Sequence, residues 1–79
     1  MKHGAYLLIN VDTGKEQSVM AGIAKKKFVS HCSIVTGLHD VICFVEAETV
    51  DDLKKAVYAI RAIPGINKTV TCISFNSKG

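Results

Sequence analysis

No apolar stretch of this 79-residue sequence approaches the roughly 20 residues needed to span a bilayer. Met1–Gly4 lacks the charged-then-apolar order of a signal peptide, so a cytoplasmic protein that stays off the membrane is expected. Cysteine is sparse: Cys32, Cys43 and Cys72 are odd in number and form no C-x-x-C pair, which signals neither a zinc knuckle nor a thioredoxin-type site. Each lies in a strand-like run, and small buried thiols are expected. There is no Gly-rich phosphate loop, no G-x-S-x-G and no H-E-x-x-H, so no catalytic residue, metal or cofactor is expected. Charge of one sign is scarce too. The net charge is +3, and much of the excess is the single run Lys25-Lys26-Lys27, read as the cationic end of a helix rather than a nucleic-acid patch.

With 48% apolar and 22% charged residues, the chain is globular and not disordered. It shows no linker, low-complexity segment or repeat, so residues 1–79 form one domain near the lower size limit for a self-sufficient core. Oligomerisation is the staple expected at this size. The strand pattern points the same way. Ala5-Tyr6-Leu7-Leu8-Ile9 and Val41-Ile42-Cys43-Phe44-Val45 are apolar at nearly every position, where a half-exposed strand would alternate. Such strands need cover on both faces. Two helices, Glu16–Lys26 and Val50–Arg61, can cover one face, and the other is left for a partner or a ligand.

Four strands are expected. Ala5–Val11 closes on the turn cluster Asp12-Thr13-Gly14, with Asp12 and Thr13 as caps for the first helix. Phe28–Thr36, the most polar strand, suits a sheet edge. A short link leads to Val41–Ala47, which makes an antiparallel hairpin. Thr49 caps the second helix through the amide of Asp52, and its buried stripe is Leu53, Ala56, Val57 and Ile60. Pro64-Gly65 turns the chain into Asn67–Phe75. Gly22 in the first helix suggests close approach of a neighbouring backbone. The order βαββαβ folds into a ferredoxin-like α+β arrangement, a four-stranded antiparallel sheet with both helices on one face.

The most function-like stretch is Thr36-Gly37-Leu38-His39-Asp40. It can be a plain turn, with Gly37 supplying an unusual backbone angle and Asp40 bonding local amides. It can equally be a ligand loop: amides around a glycine receive a carboxylate, and an aspartate holds an ammonium group, the two ends of a free amino acid. Thr69 and Thr71, at i and i+2, share one side of the last strand and are either β-formers or ligand contacts.

Leu8-Ile9-Asn10-Val11, Ile34-Val35-Thr36-Gly37-Leu38-His39-Asp40-Val41, Val45-Glu46-Ala47 and Ile63-Pro64-Gly65-Ile66-Asn67-Lys68-Thr69-Val70-Thr71 resemble the ligand-binding (RAM) domain of Lrp/AsnC transcriptional regulators. The resemblance runs from about Ala5 to Phe75. It implies dimers built sheet to sheet, rings of dimers, and an amino-acid effector bound between dimers near the hairpin loop. Gly37, His39 and Asp40 fall on the family's effector loop and Thr69 and Thr71 on its last strand. Where the family often has Glu and an aromatic residue, this chain has Leu38-His39, which favours a more polar effector or a weaker pocket. No helix-turn-helix precedes the first strand, so the resemblance is to a stand-alone RAM protein that does not bind operator DNA by itself. Its expected role is effector binding and oligomerisation, regulating amino-acid metabolism or transcription by co-assembly with a full-length Lrp/AsnC regulator. Two rivals share the topology. A small dimeric α+β barrel enzyme needs acid/base residues converging in a sheet–helix cleft, where the inward strand positions here are apolar. An RNA-binding domain needs exposed aromatics flanked by basic residues on the central strands, and only Tyr6 and Phe44 are aromatic there.

Overall fold

The computed structural model describes residues 2–74 and runs β1 (His3–Val11), α1 (Glu16–Ala24), β2 (Val29–Ile34), β3 (Val41–Ala47), α2 (Val50–Arg61), β4 (Ile66–Ser74). The strands form one antiparallel sheet in the order β2-β3-β1-β4. This is the ferredoxin-like α+β fold. The two strands that hold the apolar runs Ala5–Ile9 and Val41–Val45, β1 and β3, take the two central places, and the more polar β2 and β4 take the edges.

Residues directly opposite in an antiparallel pair share a face. Ala5, Leu7 and Ile9 stand opposite Val45, Cys43 and Val41, and all six are fully buried. They meet Val19 and Ile23 of α1 and Leu53, Val57 and Ile60 of α2 in a single core. Among the described residues no polar or charged side chain is buried. The alternate positions, Tyr6 opposite Phe44 and Leu8 opposite Ile42, fall on the face without helices.

The second helix has the bounds and buried stripe that its sequence predicts, because both ends are encoded locally. Thr49 Oγ1 accepts from the amide of Asp52 at 3.0 Å, Asp51 and Asp52 stand in the first turn, and Pro64-Gly65 follows. The first helix differs. It starts after Lys15 with no side-chain cap and stops at Ala24, so the lysine run lies just beyond its end. Asp12 and Thr13 do not cap it. The carbonyl of Asp12 accepts from Lys15 N at 2.9 Å in a turn that separates strand from helix, and its carboxylate accepts from Asn67 Nδ2 at 3.0 Å. The close neighbour at Gly22 is the Ile63 side chain, 3.2 Å from where a Cβ would stand, and not a backbone.

Strand β2 is shorter than expected and carries a bulge between Val29 and His31. The extra residue changes the parity of the strand. Val29 therefore shares the helix-side face with Val45, while His31 and Ser33 share the open face with Phe44 and Ile42. The last strand begins one residue early, at Ile66, and Phe75 lies outside the described residues. Cys43 is buried and Cys32 half-buried, as expected, but Cys72 is exposed because it faces the side without helices, opposite Tyr6.

Gly65 has φ of 99°, and an added Cβ would stand 3.1 Å from Lys15 Cβ and Val19 Cγ2. A side chain there meets both backbone strain and crowding against α1. Gly65→Ala is expected to destabilise the fold by about 1–3 kcal/mol, measured as a fall in urea midpoint with an unchanged slope.

The core also predicts an alkaline weakness. Burial, reinforced by the adjoining Cys32 thiol, pushes the Cys43 thiol up to about 12 from its ordinary 9.0. Below the ordinary value both states hold the proton and stability is complete. Above it the unfolded chain ionises while the folded chain does not, so stability drains as pH climbs from about 9 toward 12. Melting curves should show this decline, and Cys43→Ala, although less stable at neutral pH, should show a shallower one.

Candidate functional site

Two features stand out on the side of the molecule that the helices leave open. The first is the sheet face itself. Tyr6, Leu8, Ile42, Phe44, Val70 and Cys72 form its centre by register, with His31, Ser33, Glu46, Asn10 and Lys68 around them. Tyr6 remains 46% exposed and Val70 38%. Tyr6 and Phe44 pack ring to ring with centroids 4.6 Å apart. Gly4 has no Cβ because the Phe44 ring occupies its place: Phe44 Cζ lies 2.6 Å from where one would be. The rim is held by short polar contacts, Ser30 Oγ to Glu46 Oε1 and Ser33 Oγ to His31 Nε2. An apolar centre inside a polar rim is the anatomy of an interface.

The second feature is the β2–β3 loop. Val35 N donates to the Asp40 carbonyl at 2.9 Å and closes the hairpin. Gly37 has φ of 111° with open space around it, so the backbone angle alone calls for glycine. Leu38 is 89% exposed at the tip. The loop then fastens to the end of β1 through four contacts. Asp40 N donates to Ile9 O at 2.8 Å, and Val11 N donates to Asp40 Oδ2 at 2.9 Å. Asn10 Nδ2 donates to Leu38 O at 2.9 Å, and His39 Nδ1 lies 3.0 Å from Asn10 Oδ1. Because the Asn10 amide nitrogen is already donating, its oxygen accepts, and the proton belongs on His39 Nδ1. A neutral His39 therefore keeps Nε2 as an acceptor.

The site residues expected from sequence are thus divided. Gly37, His39 and Asp40 come together at one end of the sheet. Thr69 and Thr71 stand opposite Ile9 and Leu7, which places them on the helix side, with Thr69 half-buried and Thr71 exposed. Within one subunit the loop contacts and the threonine pair lie on opposite faces, separated by β1. Asn10 organises the loop and was not singled out as a site residue. Its signal was a lone polar position at the end of an otherwise apolar strand face. Lys68, opposite Asn10 in register, brings a cation to the same face.

A groove of about 870 Å³ runs between α2 and the end of the sheet, with Val50, Leu53, Val57, Tyr58, Thr71 and Ile73 in its walls. Lys54 and Arg61 stand at its margin, the guanidinium 5.8 Å from the Tyr58 ring centroid. The core between the helices and the sheet is apolar, while the groove beside it also carries His3, Glu46 and Ser74. No helix among the described residues is long and apolar enough to cross a membrane.

A helix-dressed sheet with one open apolar face and a hairpin loop fastened to its end is a scaffold suited to association through that face. The sequence profile of the Lrp/AsnC ligand binding domain matches residues 4–78, and the chain belongs to that family. Domains of this family are regulatory rather than enzymatic; they oligomerise and bind small-molecule effectors. Among solved structures, FFRP-DM1 is 32% identical, with 92% of this chain and 99% of that chain covered and a TM-score of 0.88. A hypothetical protein from Pyrococcus horikoshii is also 32% identical, covering 98% of this chain and 93% of its own, at a TM-score of 0.86. A transcriptional regulator from Neisseria meningitidis, solved as a complex with L-Met, shares the fold at 13% identity and a TM-score of 0.81; the match covers 94% of this chain and 50% of that one. No curated protein matches the chain.

Proposed function

We propose that this protein is a self-assembling effector module that senses a free amino acid. Two copies bury their open sheet faces against each other, and dimers associate further into a ring. The observation that carries this reading is the uncovered apolar face, since each 100 Å² of apolar surface left in water costs about 2.5 kcal/mol. The effector sits at a subunit boundary beside the β2–β3 loop. Amides around Gly37 receive its carboxylate, Asp40 holds its ammonium group, and His39 presents a polar wall. Since Thr69 and Thr71 lie on the far side of the sheet from the loop contacts of their own chain, a neighbouring copy supplies them. The module works in the cytosol and modulates amino-acid metabolism or transcription by co-assembling with a full-length Lrp/AsnC regulator. The regulator solved with L-Met illustrates the ligand class.

A thermal-shift screen of the common amino acids, paired with light-scattering mass, tests the reading. A ligand at about a hundred times its dissociation constant adds roughly 2.7 kcal/mol, a rise of about 10 °C or more for a domain this small. One or a few amino acids should produce such a rise together with a change in mass, because a ligand favours the state that completes its site. A flat response to every amino acid would remove the effector from the proposal.

A further inference from the structure

Three sulfur atoms from three separate elements meet beneath the β2–β3 hairpin. Cys32 Sγ of β2 lies 3.4 Å from Met20 Sδ of α1 and 3.7 Å from Cys43 Sγ of β3. The two cysteines are directly opposite in register. Val35 N donates to Asp40 O and Glu46 N donates to Phe28 O, so even-numbered residues of β3 carry the bonds to β2. Cys32 and Cys43 therefore form a non-hydrogen-bonded pair, the kind in which side chains approach most closely. Cys43 is fully buried, whereas Cys32 and Met20 are half-buried and give a path from the surface.

We propose that Met20, Cys32 and Cys43 form a binding site for a soft monovalent metal cation of the Cu(I) or Ag(I) type. Thiolate and thioether sulfurs are the donors that select such ions. An ion about 2.3 Å from each sulfur would subtend roughly 95° across the Cys32–Met20 pair and roughly 107° across the Cys32–Cys43 pair. A divalent ion such as zinc is poorly served. It requires four ligands, and among the described residues no three His, Cys, Asp or Glu side chains group together. Disulfide formation is the competing chemistry for these thiols. It requires the sulfurs to close from 3.7 Å to about 2.05 Å. On metal binding, Cys32 and Cys43 each release one proton to solvent and the metal keeps its oxidation state. The bound ion would tie α1 to both strands of the hairpin.

Sequence spacing conceals this site, since positions 20, 32 and 43 match no metal motif and only the register of β2 against β3 unites them.

The test uses Cys72→Ser protein, which lacks the exposed thiol, under anaerobic conditions. Cu(I) is supplied as its coloured complex with bicinchoninate, and loss of colour reports transfer. One equivalent per chain is expected to transfer. Cys32→Ser in that background should weaken binding by about a hundredfold or more, and Met20→Leu, close in volume, by about tenfold. Melting curves establish that both variants fold. Failure of the Cys72→Ser protein to take Cu(I) from the chelator would overturn the proposal, as would uptake that Cys32→Ser and Met20→Leu leave unchanged.

Discussion

Phe44→Asp is expected to turn a stable oligomer into a monomer at micromolar concentration while the fold persists. Phe44 lies at the middle of the open face, flanked in register by Tyr6 on one side and His31 on the other. Its ring fills the notch at Gly4. In a two-fold dimer built on this face the same patch meets itself, so two introduced carboxylates would approach each other in a desolvated centre. Losing an aromatic anchor at such a place costs about 2 kcal/mol or more, and burying unpaired charge adds to that. A rise of at least about a hundredfold in the dimer dissociation constant follows. The helix–sheet core is on the other side of the sheet, so circular dichroism should be little changed. Sedimentation equilibrium decides the matter: a wild-type monomer at micromolar concentration, or a Phe44→Asp protein that still dimerises, would remove this face as the interface.

The second large effect concerns the loop. Because Asp40 Oδ2 accepts from the Val11 amide, Asp40→Ala would both discharge the site and leave a backbone donor without its partner. Asp40→Asn separates the two. Its side-chain oxygen can keep the Val11 contact, while the negative charge that would face an ammonium group is gone. A charge-assisted hydrogen bond is worth about 1.5–3 kcal/mol, so calorimetry with the amino acid selected by the screen should show affinity lower by about ten- to a hundredfold. Asp40→Ala should lose at least as much and also melt at lower temperature. Equal affinities for wild type and Asp40→Asn would make Asp40 a turn residue and nothing more.

How far the sequence discloses the molecule differs from element to element. Thr49, Asp51, Asp52 and Pro64-Gly65 are local signals, and they mark both ends of α2 without help from tertiary structure. Helix α1 has no such marks. The lysines after Ala24 are good helix formers, so nothing in the residue order shows where it stops. Strand β2 conceals its bulge, and with it the face that Val29 takes, because a bulge depends on the partner strand. The same limit governs the candidate site. Alternation places Thr69 and Thr71 on one side of β4, but which side depends on pairing with Ile9 and Leu7 of a strand sixty or more residues away. The loop was legible as a glycine turn; its attachment to Asn10 and Val11 was not, since those contacts span 28 or 29 positions.

The end of β1 has a consequence for how the molecule breathes. Ile9, Asn10 and Val11 hold the β2–β3 loop on one side, while Asp12 N donates to Gly65 O and Asp12 Oδ1 accepts from Asn67 Nδ2 on the other. Lys15 N, at the start of α1, donates back to Asp12 O. Three segments, two of them remote along the chain, thus share one short stretch of backbone, and none can open without loosening the rest. Amide hydrogens at Val11, Asp12, Lys15 and Asp40 should accordingly exchange with solvent as one cooperative group. A ligand seated on the loop would slow all four together, including the Lys15 amide that it never touches.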